Sequence, residues 1–184
     1  GNYTLEVSRS GSYAMAGWAT LKHFGHEGFQ AVLGGILEVQ HELRERIRAE
    51  PDMICVNPDD NGFVTLFRIY PKGTDASIQY AKELSWPDCI DELMKHNRLQ
   101  EKVADKLWDW LKEGKVINGD HLTYTSLSTG FRPTKYNRDE IDPNAMIYAL
   151  KSFPMNVFID SESLDTLVKV VKAARAEVIA AGWL

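Results

Sequence analysis

Two consecutive stretches near the start of the chain carry helical patterns. Between Phe29 and Ile47 apolar residues recur at intervals of three and four, which predicts an amphipathic helix whose opposite face is charged. Pro51 ends that helix. The preceding range, Ser12 to Phe24, is rich in small residues and predicts a helix that ends at Gly25. Because small residues let a helix approach another backbone closely, we expect this first helix to be deeply packed or to lie at an interface.

After Pro51 the pattern changes to short apolar runs separated by turn residues. The first two runs flank a cluster of Asn, Asp, Pro and Gly and predict an antiparallel hairpin. The predicted strands cover residues 53–56, 63–70, 122–127 and 149–155, and residues 128–144 read as a loop. The predicted helices cover residues 75–84, 88–113 and 161–181, the last one capped by Asp160 or Ser161.

These elements predict an α+β fold in residues 51–184, with helices covering one face of a mainly antiparallel sheet. Residues 1–50 are expected to lead into that domain as a strand tail and two helices. The chain opens with Tyr3, Leu5 and Val7 in alternation, as in a strand already under way, and has no initiator methionine. We interpret it as a fragment of a longer chain, although a trimmed terminus has the same appearance.

The composition of the chain argues against several classes of function. The chain has 184 residues, 44% of them apolar, and a net charge of −5, which provides no basic surface for nucleic acid. No stretch approaches the roughly 20 apolar residues of a membrane span, so we expect no membrane partner. Cys55 and Cys89 cannot form a disulfide framework, which indicates a reduced, cytoplasmic setting.

Motifs that carry chemistry by themselves are absent from the sequence. It contains no phosphate-binding glycine loop, no dinucleotide fingerprint and no nucleophile elbow. The histidines have no metal-like spacing with the cysteines or with one another, so we predict no metal site. The residue patterns alone would therefore describe a binding or interaction module.

The first fifty residues nevertheless resemble one enzyme family. The chain runs Thr4-Leu5-Glu6-Val7-Ser8-Arg9-Ser10-Gly11 and continues through Ala14, Ala16, Trp18 and Leu21 to Gly25-His26-Glu27-Gly28-Phe29. This order is similar to group II pyridoxal-phosphate-dependent decarboxylases, which act on glutamate, aromatic amino acids, histidine, tyrosine or diaminobutyrate. In them a strand and a Ser-Arg-x-Gly-type turn lead into a helix, a Gly-x-Glu-Gly-aromatic junction and a long amphipathic helix. The resemblance is closest at residues 4–50 and extends to residues 51–70 and 147–184. Residues 71–146 contain no motif that matches the family.

The resemblance implies the C-terminal portion of a fold-type-I enzyme. Residues 1–50 would end the large cofactor-binding domain and connect it to the small domain, residues 51–184. Such enzymes are homodimers with active sites at the subunit interface, and the expected substrate is an L-amino acid whose α-carboxylate is removed.

Two residues of the turn are candidates for the cofactor and substrate sites. Ser8 matches the position at which a serine or glycine reaches the neighbouring subunit's active site, where a hydroxyl can donate to a phosphate oxygen. A helix N-cap is the alternative role for Ser8, and both roles are compatible. Arg9 is a candidate to neutralise the phosphate or substrate charge, and an inter-domain salt bridge is its alternative role.

Lys151 falls where several members of the family carry an arginine that holds the substrate carboxylate. Lysine keeps the charge but loses the two-pronged geometry of a guanidinium. Arg132, in the predicted 128–144 loop, is the other candidate cation for that carboxylate, and Lys151 has the alternative of being a solvated strand-end residue.

The sequence also departs from the family in one essential feature. In these enzymes the lysine that binds pyridoxal phosphate follows a histidine, and the ring withdraws electrons as the carboxylate leaves. This chain has Lys22-His23, the reverse order, and no His-Lys pair. We therefore expect no catalytic residue in this chain and an inactive isolated fragment. The alternatives are a free-standing α+β binding or regulatory domain, or a degenerate relative without a cofactor site.

Overall fold

The computed structural model describes residues 11–59, 62–85, 88–117, 120–121, 125–132, 146–153 and 159–183. The chain divides into two compact units, Gly1–Gly35 and Ile36–Leu184. The predicted boundary at residue 50 refers to the domains of a larger enzyme and stays a prediction.

Four helices and six strands are present in the described residues. The helices are α1 (Ser12–Ala49), α2 (Ala76–Glu83), α3 (Ile90–Lys112) and α4 (Ser161–Ala180). The strands are β1 (Met53–Cys55), β2 (Thr65–Ile69), β3 (Val116–Ile117), β4 (Asp120–His121), β5 (Ser126–Phe131) and β6 (Ile147–Ser152).

Helix α1 contains the predicted break. Gly25 has φ 60° and ψ −170°, a backbone conformation that is open essentially to glycine alone, and it separates two helical stretches. The break expected at Gly25 is thus confirmed. The second stretch ends at Ala49, two residues before Pro51, as expected.

The sheet is antiparallel, with the strand order β1-β2-β6-β5. The predicted hairpin of β1 and β2 is confirmed, and Met53 pairs with Ile69. Asn57 stabilises its turn, because its side-chain amide donates to the Val64 carbonyl at 2.9 Å and its oxygen accepts from the Leu66 N–H at 2.8 Å. A separate two-stranded sheet joins β3 and β4.

The later strands are displaced from their predicted positions. The prediction of a loop from residue 128 is wrong at its start, because β5 continues to Phe131, and residues 122–124 lie outside the described residues. Strand β6 begins at Ile147, two residues before its predicted start. The β3–β4 hairpin occupies part of a region that the sequence indicated only as a turn.

Short polar side chains begin two of the helices. Asp75 caps α2 by accepting from the Ser77 and Ile78 N–H groups at 3.0 and 3.1 Å. Asp160 caps α4, as predicted, by accepting from the Ser163 hydroxyl at 2.6 Å and from its N–H at 2.9 Å. The same two hydrogen bonds lower the pKa of Asp160, because they stabilise its ionised form.

Buried apolar residues form two clusters on opposite faces of the sheet. Phe67 and Leu150 belong to the larger cluster, with the core residues of α1, α3 and α4. Their chain neighbours Leu66 and Ala149 belong to the smaller cluster, with Ala76 and Tyr80 of α2. Because successive strand residues point to opposite faces, α2 lies on the face of the smaller cluster, to which Leu93 from the first part of α3 also contributes. The α+β prediction is confirmed, but the prediction that helices cover one face alone is incomplete.

Two amide side chains of α3 complete the sheet where β2 and β6 diverge. The ladder between these strands ends at the Phe67–Leu150 pair. Beyond it, Gln100 accepts from the Ile69 N–H at 3.0 Å and donates to its carbonyl at 2.7 Å. Asn97 accepts from the Tyr148 N–H at 3.0 Å and donates to the Met146 carbonyl at 2.6 Å. Side-chain amides thus replace the missing strand-to-strand hydrogen bonds.

None of the helices in the described ranges combines the length and apolarity that a bilayer crossing requires.

Candidate functional site

Lys151 lies near the end of β6, between two other strands. It pairs directly with Leu66 on β2 and with Ser126 on β5, and its side chain is half-buried. No ion pair of Lys151 occurs in the part of the chain that the structure describes.

Arg132 lies at the other end of β6. Its Nε is 3.0 Å from the Sδ of Met146, the residue just before the strand, and its side chain is exposed. Met146 and Lys151 are separated by five residue steps, or about 16 Å along an extended strand. The structure therefore does not bring the two candidate cations together. Ser8 and Arg9 lie outside the described residues.

A buried ion-pair network, which the sequence did not indicate, centres on Glu83 of α2. Glu83 Oε2 lies 2.8 Å from Arg68 Nη2 and accepts from the Tyr70 hydroxyl at 3.0 Å. Glu83 Oε1 lies 2.6 Å from His96 Nδ1. The Arg68 and Glu83 side chains are fully buried, and Arg68 Nη1 also donates to Asn97 Oδ1 at 2.8 Å.

The surroundings of this network make it structural rather than catalytic. Burial raises the pKa of Tyr70 far above its ordinary value, so its hydroxyl stays protonated as a donor to Glu83. The Trp183 ring stacks on His96 with centroids 6.1 Å apart, and His96 is only 8% exposed. The hydrogen bonds and ion pairs of the network join β2, α2 and α3.

One surface cleft lies beside β1 and the start of α2. It has a volume of about 350 Å³, and Arg48, Glu50, Cys55, Asp75 and Ser77 are among its lining residues. Burial raises the pKa of Cys55 to about 11, so this thiol stays protonated near neutral pH and is a poor nucleophile. The two carboxylates of this cleft would repel a bound phosphate, and its described lining residues include no lysine.

A second cleft, of about 400 Å³, is lined by Leu37, Glu38, His41 and Glu42. Two of these described lining residues are carboxylates and none of them is a lysine. Neither cleft fits pyridoxal phosphate, which needs an amine for its aldehyde and donors or cations for its phosphate.

Large apolar side chains are exposed along the first half of α1. Trp18 is 58% exposed and Tyr13 is 77% exposed, and every residue from Gly11 to Glu27 is classed as exposed. The apolar residues concerned are Tyr13, Met15, Trp18, Leu21, Phe24 and Leu33. Six large apolar side chains exposed within one segment are more than isolated surface residues, and such an accumulation is typical of a surface that a protein partner covers. The alternative that this helix is deeply packed is wrong for the described residues, and the alternative that it lies at an interface stays a prediction.

No known protein family matches the chain, and no curated protein sequence is significantly similar to it.

Proposed function

We propose that this chain is the C-terminal part of a pyridoxal-phosphate-dependent decarboxylase that removes the α-carboxylate of an L-amino acid. In that enzyme it would form the small domain, contribute to the homodimer interface and close the active site. The observation that carries the proposal is the exposed apolar row of α1, which coincides with the segment whose sequence resembles the family.

Exposure of these apolar side chains to water costs free energy. Burying a large apolar side chain contributes about 1.5–3 kcal/mol. Six such side chains, from Tyr13 to Leu33, are between 42% and 77% exposed. In a fold-type-I enzyme the end of the large domain has the rest of that domain and a second subunit to cover it, so the exposure has a direct explanation.

The residues of this chain would serve binding rather than bond cleavage. Ser8 would donate to the cofactor phosphate or the substrate, Arg9 would neutralise one of them, and Lys151 or Arg132 would hold the substrate carboxylate. The cofactor lysine would come from outside these residues, because the sequence has no His-Lys pair. A reduced cytoplasm remains the proposed compartment.

The test is to extend the coding sequence upstream and to purify the longer protein. With pyridoxal phosphate added, we expect a visible absorption band that borohydride fixes covalently, and CO₂ release from at least one L-amino acid. The 184-residue chain is the matched control and should give neither signal. A stoichiometric, borohydride-trapped cofactor on the control chain, or an upstream reading frame without a His-Lys pair, would refute the proposal.

One observation favours the alternative of a free-standing binding or regulatory domain. Residues 36–184 contain both hydrophobic clusters and form a compact unit. A natural start codon at residue 1, with a stable monomeric product, would select this alternative.

A further inference from the structure

We propose that the open edge of β1 binds an extended peptide segment that carries a basic side chain. β1 stands first in the strand order β1-β2-β6-β5, so one of its sides has no neighbouring strand among the described residues. The cleft of about 350 Å³ lies at this strand, because Met53, Ile54 and Cys55 are among its lining residues. This interaction goes beyond the proposed decarboxylase and does not rest on it.

The hydrogen bonds between β1 and β2 show which backbone groups point to the open edge. The Val56 N–H donates to the Leu66 carbonyl at 2.9 Å, and the Tyr70 N–H donates to the Asp52 carbonyl at 2.9 Å. In an antiparallel ladder, hydrogen-bonded pairs alternate with pairs that are not hydrogen-bonded. Every second residue from Asp52 to Val56 therefore points its backbone groups to β2, and the residues between them point theirs to the open edge.

Met53 and Cys55 are the two residues that point their backbone groups outward. The Met53 N–H donates to the Glu50 carbonyl at 3.2 Å. The Met53 carbonyl and the N–H and carbonyl of Cys55 have no hydrogen-bond partner among the described residues. Another extended backbone supplies the complementary donors and acceptors at the spacing of a strand, as in recognition by strand addition. The unpaired groups thus favour an extended peptide as the occupant.

Two prolines limit the length of that peptide. Pro51 and Pro58 both line the cleft, and the Pro51 carbonyl already accepts from the Ala76 N–H at 2.8 Å. Because proline has no N–H, strand pairing does not continue past either residue. β1 itself has three residues, a length of about 10 Å. A peptide segment of about three to five residues fits this edge, which is too short to act as a template for aggregation.

The charges of the cleft favour a basic side chain on the peptide. Glu50 pairs with Lys172 at 2.7 Å, and Arg48 pairs with Glu45. Asp75 accepts from two N–H groups of α2 through one oxygen and has no ion pair among the described residues. A lysine or arginine of the peptide would supply the missing counter-charge. The net charge of −5 favours the same sign of partner.

The strand geometry gives the position of the basic residue in the peptide. Ile54 packs against the smaller cluster, on the face where α2 lies. The peptide residue opposite Ile54 therefore projects toward the start of α2, which Asp75 caps. The peptide residues before and after it form the hydrogen bonds to Met53 and Cys55. One basic residue between two residues that bond through their backbones is thus the expected pattern.

The experiment titrates the ¹⁵N-labelled 184-residue chain with the blocked peptide acetyl-Thr-Val-Thr-Lys-Thr-Val-Thr-amide and follows the chain by two-dimensional NMR. We expect saturable shifts at residues 53–56. At saturation the Cys55 amide should exchange with deuterium more slowly, because its N–H becomes hydrogen-bonded. The Ile54 amide, which faces β2, is the internal reference and should keep its exchange rate. Absence of saturable shifts, or saturable shifts without protection of Cys55, would overturn the proposal.

Peptide variants separate the backbone contribution from the charge. Methylating the backbone nitrogens of the two threonines that flank the lysine removes two donors and keeps every side chain. This peptide should bind with a Kd about tenfold higher, since two hydrogen bonds are lost. Replacing the lysine by glutamine should raise the Kd about threefold, as expected for an exposed ion pair. Equal binding of the methylated peptide contradicts strand addition, and equal binding of a glutamate peptide contradicts the basic partner.

Protein variants test the same two contributions. Asp75→Asn keeps a cap acceptor but removes the charge, so it should weaken binding of the lysine peptide about threefold and leave the glutamine peptide unchanged. Asp105→Asn, at an exposed position of α3, is the control and should leave both Kd values unchanged. Cys55→Pro removes the outward N–H and should abolish binding. If circular dichroism shows that Cys55→Pro is unfolded, the methylated peptide decides.

A second copy of the chain is the competing occupant. Protection of the Cys55 amide that appears without peptide and increases with chain concentration would show that two β1 edges pair with each other. That result would overturn the peptide as the occupant of this edge.

Discussion

At Glu83 a buried carboxylate meets a guanidinium, a phenol and an imidazole within 3.0 Å. Coulomb attraction in such a poorly solvated position is strong, but so is the cost of desolvating the charges. The network is therefore sensitive to the loss of one member, because the remaining charge stays in the interior without compensation. The contribution of each member to the free energy of unfolding therefore depends on the presence of the others.

We predict that Glu83→Gln lowers the free energy of unfolding by about 3–5 kcal/mol, since it keeps the side-chain shape but leaves buried Arg68 without a counter-charge. Equilibrium urea unfolding measures the change. The matched control is Glu92→Gln, which removes the partner of Lys82 in a largely exposed pair and should change the urea midpoint far less. A loss for Glu83→Gln no larger than that of the control would contradict the prediction.

The helices and strands that were predictable from sequence are those with a characteristic residue pattern within the element itself. Helix α3 shows its apolar stripe, α4 shows its stripe and its Asp160 cap, and the β1–β2 hairpin shows its turn residues. Strand β5 was missed in part because Ser128, Thr129 and Gly130 resemble a loop, and only pairing with β6 makes them a strand.

Residues whose contacts join distant parts of the chain have no such pattern in the sequence. Arg68 lies 15 positions before Glu83, and His96 lies 13 after it, so no spacing within one element links them. In the sequence each resembles an ordinary surface polar residue, and only the packing of α2 and α3 against β2 buries them together. The same holds for Lys151 and Ser126, whose proximity follows from the register.

The cap of α4 leads to a prediction about acid. The Ser163 hydrogen bonds lower the pKa of Asp160 below its ordinary value of 3.8 in the folded chain. A carboxylate with a lowered folded pKa contributes stability that is complete above its unfolded pKa and is lost as the pH falls through the folded pKa. Asp160→Asn keeps an oxygen acceptor without the charge, so it should lower the thermal midpoint near neutral pH, and the difference should vanish in acid.

Thermal unfolding followed by circular dichroism from neutral pH into acid measures this difference. Asp105→Asn is the control, because Asp105 is exposed on α3 and caps no helix. A gap between wild type and Asp160→Asn that persists unchanged at the lowest pH would show that the charge is not responsible.

At the scale of the whole molecule, the two compact units differ in whether their large apolar side chains are buried or exposed. Residues 36–184 bury theirs in two clusters, while the described part of residues 1–35 exposes a row of aromatic and aliphatic side chains. Hydrophobic burial favours covering that row by any available partner. In the isolated chain a second copy is such a partner.

We therefore expect the isolated chain to self-associate, and the triple substitution Trp18→Gln, Leu21→Gln, Phe24→Gln to reduce that association. Sedimentation velocity over a range of concentrations measures it. Trp108→Gln with Leu111→Gln is the control, because these exposed apolar residues lie on α3 in the other unit. A wild-type chain that stays monomeric throughout, or equal effects of the two variants, would count against a specific role for α1.

The amides of Asn97 and Gln100 have a consequence for how this fold tolerates change. Each side chain is hydrogen-bonded to the backbone of one strand. Gln100 bonds to Ile69 of β2, and Asn97 bonds to Tyr148 of β6 and to Met146 just before it. A single helix, α3, thus fixes the positions of β2 and β6 relative to each other, although these strands are far apart in sequence. A change of length in the loops between α3 and β6 should therefore leave the alignment of β2 with β6 unchanged.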